Sequence, residues 1–149
     1  MRFWGESEHF IDDKGRVILP VDYRNVLGNY CVLTRGPDKV VILFPVEVWE
    51  EIQSSLYKDA VVTPSRILQR LFSSRTEVKI DNRGRMSIPR VLRDWANITV
   101  GSSVILLGQG QSVEIWSKEY WLEYQKNFTS ANTLEAAQEM GIGDLFRLS

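Results

Sequence analysis

Short apolar stretches bounded by turn signals dominate the hydrophobic pattern of the chain. Four of them are rich in β-branched residues and predict strands that pair as two hairpins: Cys31–Leu33 with Val40–Phe44, and Val104–Leu107 with Val113–Trp116. Apolar residues at helical spacing predict longer helices at about 45–56 and 117–127. The pattern is that of a β-rich α+β protein with flanking short helices.

An Asp-x-x-Gly-Arg element occurs twice, at Asp12–Arg16 and, 69 residues later, at Asp81–Arg85. A short predicted strand follows each copy, at Val17–Leu19 and Met86–Ile88. Each strand then meets a proline, which has no amide hydrogen and therefore ends a strand and can open a helix. Short amphipathic helices are predicted next, at Val21–Leu27 and Arg90–Ala96.

The order of turn, strand, helix, hairpin and helix is the same in both parts of the chain, which indicates an internal duplication. Residues 1–57 are the first copy and 76–126 the second. Residues 58–75 are a linker with a predicted helix at Ser65–Phe72, and 127–149 are a tail with a possible helix at Leu134–Met140.

One copy has about three short strands and cannot bury both faces of a sheet. Two copies related by a pseudo-two-fold axis can interleave their hairpins and close one small β-barrel, which removes exposed strand edges. The two Asp-x-x-Gly-Arg turns would then emerge on the same side of that barrel.

Composition and charge narrow the possible functions. A single cysteine rules out an internal disulfide framework, and with a single histidine it leaves almost nothing for a zinc site or a nucleophile–histidine pair. Carboxylates are numerous enough for a carboxylate-pair hydrolase, but nothing in the sequence marks any two of them as partners. We therefore expect no catalytic residues, metal or cofactor. The longest apolar run, Val40–Phe44, is too short to span a membrane, and the N-terminus does not resemble a signal peptide. We therefore expect a cytoplasmic protein that is not bound to a membrane.

The net charge of −1 conceals a polarised distribution. Residues 58–93 carry nine basic and three acidic side chains, a net charge of +6 between flanks of −3 and −4. A basic segment of this kind is either a solvated face or a contact surface for an acidic partner such as nucleic acid.

The arginines of the two turns, Arg16 and Arg85, are the leading candidates for contact with DNA, through phosphate or through bidentate recognition of guanine. Lys14 and Arg83 stand two residues earlier and are expected to point to the same side. The alternative is a salt bridge of each arginine with its neighbouring aspartate, which would serve the turn alone.

The remaining motif residues have structural roles in this interpretation. Asp12 and Asp81 would be repelled by phosphate, so they are expected to hold the turn and orient the arginine. Gly15 and Gly84 suit a left-handed backbone position.

The ordered motifs of the chain resemble those of the MraZ family over roughly residues 1–126. In the first copy the resemblance is carried by Glu8–Arg16, Pro20, Tyr23-Arg24, Leu33–Gly36, Phe44-Pro45 and Trp49. In the second copy it is carried by Asp81, Gly84-Arg85, Ile88-Pro89, Leu92-Arg93, Val113–Trp116 and Trp121. The tail after Asn127 is not covered, and the second motif has one arginine more than the first.

The resemblance implies two AbrB-like swapped-hairpin halves in one chain and a ring-shaped homo-oligomer. It implies a nucleoid-associated transcriptional regulator of the division and cell-wall gene cluster, which binds direct repeats of double-stranded DNA in its own upstream region. The family's DNA contact lies in Asp-x-x-x-Arg motifs, which correspond here to Asp12 with Arg16 and Asp81 with Arg85. A non-catalytic oligomeric scaffold that does not bind DNA is the alternative, and an enzyme is the least supported class.

Overall fold

The computed structural model describes residues 2–58 and 63–146 of the chain. Residues 59–62 of the predicted linker and 147–149 of the predicted tail lie outside the described residues. The chain divides into two compact units, Met1–Lys118 and Glu119–Ser149.

Eight strands and six helices form in the described ranges. The strands are β1 (Glu6–Phe10), β2 (Arg16–Ile18), β3 (Tyr30–Gly36), β4 (Val40–Phe44), β5 (Thr76–Lys79), β6 (Arg85–Ser87), β7 (Ser103–Gly108) and β8 (Val113–Ser117). The helices are α1 (Val21–Leu27), α2 (Val46–Lys58), α3 (Thr63–Leu71), α4 (Arg90–Trp95), α5 (Lys118–Tyr124) and α6 (Ser130–Glu139). The predicted hairpins, the two short helices after the prolines and the α+β class are confirmed. The expected excess of strand is wrong, because helical residues outnumber strand residues in the described ranges.

Six strands form one antiparallel sheet in the order β1-β7-β8-β4-β3-β5, and β2 pairs with β6 in a separate two-stranded ribbon. Strands of the two copies are interspersed in the sheet, in the order first, second, second, first, first, second. The first-copy strand β1 pairs with β7 of the second copy, and the second-copy strand β5 pairs with β3 of the first. Each predicted hairpin stays intact, and strands of one copy pair with strands of the other at three places in the sheet.

The closed barrel that we expected is not observed, because β1 and β5 remain the two edges of the six-stranded sheet. Pro20 and Pro89 each stand as the cap before a helix, two residues beyond the end of a three-residue strand. The two short strands, β2 and β6, pair with each other in the ribbon and not with the edges of the sheet. An isolated bridge joins Ile80, the residue after β5, to Met86 of the ribbon.

Strands β1 and β5 were not predicted. Their side chains alternate between exposed and half-buried positions, as expected for edge strands. They contain one large apolar residue each, Phe10 and Val78, so the hydrophobic pattern gives little signal for them. Their strand conformation depends on pairing with a strand of the other copy.

The larger of two hydrophobic clusters in the described part of the first unit lies between the ribbon and the sheet. Val17 and Met86, which are opposite each other on the inner side of the ribbon, are buried in it. The sheet contributes buried aliphatic side chains from both copies: Leu33, Leu43, Val104, Leu106, Val113 and Ile115. Both copies therefore depend on each other for burial of their apolar faces.

A tryptophan on each of two helices is buried against other aromatic rings. Trp49 on α2 is buried, with its ring centroid 5.9 Å from that of Phe44 and 5.7 Å from that of Phe72. In the second unit, Trp121 stacks on Tyr124 at 6.3 Å between ring centroids. No helix in the described ranges is long and apolar enough to cross a membrane.

Candidate nucleic-acid interface

Each Asp-x-x-Gly-Arg element forms a turn that is organised by its aspartate. One carboxylate oxygen of Asp12 accepts hydrogen bonds from the backbone N–H groups of Lys14 and Arg16, at 2.9 and 2.8 Å. The other oxygen accepts the Nε–H of Arg16 at 2.8 Å. The backbone of Gly15 has φ +77°, a conformation that glycine adopts without steric cost.

The second turn repeats this geometry. Asp81 accepts hydrogen bonds from the backbone N–H groups of Arg83 and Arg85, both at 2.9 Å, and from Arg85 Nε at 2.6 Å. Gly84 has φ +78°. In both turns the backbone N–H of the arginine, then the other hydrogen bonds and the arginine charge, lower the pKa of the aspartate. The carboxylates are therefore ionised at neutral pH.

The ribbon places the two arginines on one exposed face. Arg16 is opposite Ser87, and Ile18 is opposite Arg85, so these four side chains share the side that faces solvent. Arg16 and Arg85 occupy diagonal positions of the antiparallel pair, which are separated by roughly 7–8 Å in such ribbons. Two turns that are distant in sequence therefore contribute to a single surface.

Salt bridges with the aspartates occupy only part of each arginine. Within residues 2–58 and 63–146, the terminal Nη groups of Arg16 and Arg85 have no hydrogen bond or ion pair. The side chains of Lys14 and Arg83 are exposed at the tips of the turns. The surface therefore offers oriented guanidinium groups whose Nη–H groups can donate hydrogen bonds to a further partner.

The turns of the two copies are joined to each other by reciprocal backbone hydrogen bonds. The carbonyl of Gly84 accepts the N–H of Leu19 at 2.9 Å, and the carbonyl of Gly15 accepts the N–H of Ile88 at 2.9 Å. Each turn is thus held by the strand of the other copy, and the two arginines are fixed relative to each other.

Two further arginines, Arg24 on α1 and Arg93 on α4, cover the turns from the other copy. A Cβ atom on Gly84 would come within 2.5 Å of the Arg24 side chain, and one on Gly15 within 3.1 Å of Arg93. Arg93 Nε donates to the carbonyl of Ile88 at 3.0 Å. We did not predict this role, although the recurrence of arginine at the same offset of 69 residues was a signal for it.

A surface depression of about 340 Å³ adjoins the ribbon on the first-copy side. It is lined by Glu8, His9, Phe10, Asp12, Arg16, Ile18 and Arg85. The carboxylate of Glu8 is paired with Lys118 at 3.1 Å, and this hydrogen-bonded contact lowers the pKa of Glu8. Both turn arginines and two exposed apolar side chains therefore meet at one site.

The one cysteine of the chain is inaccessible, and its one histidine lines the depression but is hydrogen-bonded within its own strand. Cys31 is buried, which raises its pKa to about 12, and its Sγ lies 3.4 Å from Met86 Sδ. His9 Nε2 is 2.7 Å from Ser7 Oγ, and partial burial lowers the pKa of the imidazole. In the described part of the chain, no group of three or more histidine, cysteine or acidic residues could hold a metal ion.

The fold and the site define a class of protein with duplicated halves, which exchange strands and present paired arginine turns on one ribbon. Comparison with known families agrees with the duplication. The chain belongs to the MraZ family, whose model, described as "MraZ protein, putative antitoxin-like", matches residues 2–70 and again residues 71–142. The two matches confirm the duplication that the sequence repeat predicted.

Relatives named "Transcriptional regulator MraZ" are similar over most of their length. The protein of Thermoanaerobacter pseudethanolicus is 40% identical over 139 residues, which cover 91% of this chain and 94% of the relative. That of Natranaerobius thermophilus is 36% identical and covers 87% and 90%. That of Clostridium acetobutylicum is 33% identical and covers 94% and 99%.

Similarity to solved structures is weaker. A solution structure of a Pyrococcus horikoshii protein aligns with 78% of this chain and 94% of its own, at 14% identity and a TM-score of 0.34.

Proposed function

We propose that this chain is a DNA-binding transcriptional regulator that reads double-stranded DNA with the exposed face of the ribbon. The observation that carries the proposal is the placement of Arg16 and Arg85 on one face, each oriented through Nε by an aspartate and each with Nη donors directed to no partner in the described residues. The name that the relatives bear, transcriptional regulator, supports the same class.

The shape of the ribbon suits the major groove, which is about 12 Å wide and admits a two-stranded β-ribbon. The Nη groups of Arg16 and Arg85 would bind the O6 and N7 atoms of guanine or a phosphate. Because the aspartates already hold the guanidinium groups, binding costs little additional side-chain entropy. Lys14 and Arg83, at the tips of the turns, would contact phosphates on either side.

The aspartates belong to this mechanism as positioning residues. An isolated carboxylate would repel DNA, but Asp12 and Asp81 are each compensated by the arginine that they orient. The glycines at positions 15 and 84 allow the turns to close at positive φ. The functional unit is therefore the whole turn.

One chain offers few cationic contacts, so its binding would be weak and sensitive to salt. We propose that the chain assembles as a ring-shaped homo-oligomer and binds direct repeats in its own upstream region, within the division and cell-wall gene cluster. Several modest contacts then add through effective concentration when the repeats match the spacing of the subunits. The protein would act in the cytoplasm in association with the nucleoid.

The proposed functional divisions are residues 1–57 and 76–126 as the two halves of the reading surface, 58–75 as their linker and 127–149 as a tail. The linker has its own basic residues, Arg66 and Arg70, which are exposed on α3. They provide a natural control for the loss of positive charge away from the ribbon.

The test is a gel-shift titration of the chain's upstream DNA with three proteins at two salt concentrations. The Arg16→Ala/Arg85→Ala variant should lose about 2 kcal/mol or more of binding free energy, with a shallower salt dependence, because each arginine contact is worth about 1–3 kcal/mol. The matched Arg66→Ala/Arg70→Ala variant removes the same charge and should bind nearly as the wild type does.

Oligomer size and melting temperature are measured for all three proteins, so that a folding defect is recognised. Equal binding by the ribbon variant and the wild type would refute the assignment of the contact to the ribbon. No binding by the wild type at low salt would refute the function and favour the oligomeric scaffold that does not use DNA.

A further inference from the structure

The two copies carry chemically different side chains at two corresponding exposed positions around the ribbon. Phe10 on β1 corresponds to Lys79 on β5 at the offset of 69 residues, and Ile18 on β2 corresponds to Ser87 on β6. Phe10 is 63% exposed and Ile18 is 56% exposed. The first copy therefore presents apolar groups to solvent where the second presents an ammonium and a hydroxyl.

The turn sequences differ in the same direction. Asp13 in the first turn corresponds to the neutral Asn82 in the second, and both side chains are exposed. With Lys79 in place of Phe10, the second half of the surface has one more positive and one fewer negative charge than the first at these corresponding positions. The second half is thus the better partner for phosphate, and the first half for an uncharged surface.

The apolar side chains lie next to the arginines. Phe10 and Ile18 line the same depression as Arg16 and Arg85. The ribbon places Ile18 directly opposite Arg85, on the face that carries both arginines. A DNA ligand drawn to these arginines would therefore meet Ile18 at the level of the base edges.

Among the groups that base pairs present in the major groove, the 5-methyl group of thymine is the apolar one. The aliphatic side chain of Ile18, which lies beside both arginines, can form no hydrogen bond with a phosphate or with a polar base edge. Charge complementarity brings DNA to this face, and the apolar contact selects thymine. These two properties together identify the ligand chemistry.

Building on the proposed function, we propose that Ile18, with Phe10 beside it, contacts a thymine methyl group in the major groove, while the half with Lys79 and Arg83 contacts phosphate. The two halves of the reading surface then have different tasks. Because the pseudo-two-fold symmetry is broken, each chain binds its site in one direction along the DNA.

The test removes the methyl groups from the DNA. The chain's upstream region is amplified with either dTTP or dUTP, and binding of both fragments is measured by fluorescence anisotropy. The wild type should bind the thymine fragment about fourfold more tightly for each methyl group contacted, as expected for burial of one methyl group. Ile18→Ser, which introduces the residue of the second copy, should bind both fragments with similar affinity, and Phe10→Lys should reduce the preference.

The control variant is Leu122→Ser, which replaces an aliphatic residue of similar exposure on α5, 53% against 56% for Ile18. It should keep the thymine preference of the wild type. Circular dichroism and light scattering report the fold and the oligomer size of each variant, and the exposure of Ile18 predicts little loss of stability.

Four results would overturn the inference. Equal binding of the two fragments by the wild type, or the same preference in Ile18→Ser, refutes the methyl contact while the proposed function stands. A reduced oligomer size in Ile18→Ser with an unchanged preference assigns the apolar patch to contact between copies of the chain. No binding of the thymine fragment by the wild type refutes the proposed function together with the inference.

Discussion

Replacing Gly84 by alanine tests how the two copies hold each other's turns. The backbone of Gly84 has φ +78°, and its new Cβ would lie 2.5 Å from Cδ and 2.6 Å from Nη1 of Arg24. Two costs are therefore combined: the strain of a non-glycine residue at positive φ, and displacement of an arginine from the other copy.

A matched substitution separates these costs. Gly101 has φ +79°, but a Cβ at this position meets no atom within 4 Å. Gly101→Ala should cost about 1–2 kcal/mol from backbone strain alone. Gly84→Ala should cost that amount and a further contribution of about 1 kcal/mol, at the lower end of the range for overpacking because an arginine side chain is flexible.

The assay is urea denaturation at a fixed protein concentration, which gives the free energy of unfolding by linear extrapolation. A double variant, Arg24→Ala/Gly84→Ala, completes the cycle, since truncation of Arg24 should remove the additional cost. The reasoning would be refuted by equal costs for Gly84→Ala and Gly101→Ala, or by an additional cost that persists in the double variant.

Three further predictions follow from buried and titrating groups. Burial raises the pKa of Cys31 to about 12, so this thiol should not react with a thiol reagent at pH 8 until the protein is unfolded. Rapid labelling of the native protein would contradict its burial. Met86→Ala should lower the free energy of unfolding by about 2–5 kcal/mol, because its side chain is fully buried, and a cost below 1 kcal/mol in urea titrations would argue against its place in the core. The pKa values of Asp12 and Asp81 lie below the ordinary value of 3.8, so their ionised forms stabilise the turns above that pH and the contribution is lost as the pH falls through the lowered values. The stability difference between wild type and an Asp12→Asn/Asp81→Asn variant should be constant above about pH 5 and narrow in more acidic solution, whereas a difference that grows on acidification would show the opposite sign.

Asymmetry within a duplicated chain has a consequence for the evolution of its surface. The residues that close each turn are the same in both copies, because the same backbone geometry is needed twice. Exposed positions such as Phe10 and Lys79 have no such constraint and can diverge. In our proposal, duplication supplied two equivalent arginine turns, and divergence of the neighbouring positions gave them different ligands.

Local chemistry made several features predictable from the sequence alone. Aspartate and glycine at fixed spacing specify the turns, since an aspartate can accept nearby backbone N–H groups and glycine can adopt positive φ. The strand at Val40–Phe44 and the helix at Val21–Leu27 formed where predicted, because apolar pattern and proline position act over a few residues. The duplication was likewise visible as a repeat.

Only the tertiary structure decided which strands pair and which arginines meet. Strands β1 and β5 carry little apolar signal, and their conformation is stabilised by hydrogen bonds to the other copy. The diagonal placement of Arg16 and Arg85, and the cover of each turn by Arg24 or Arg93, depend on pairings between residues about 70 positions apart. Long-range pairing of this kind is selected by burial of the shared core, which no local sequence pattern specifies.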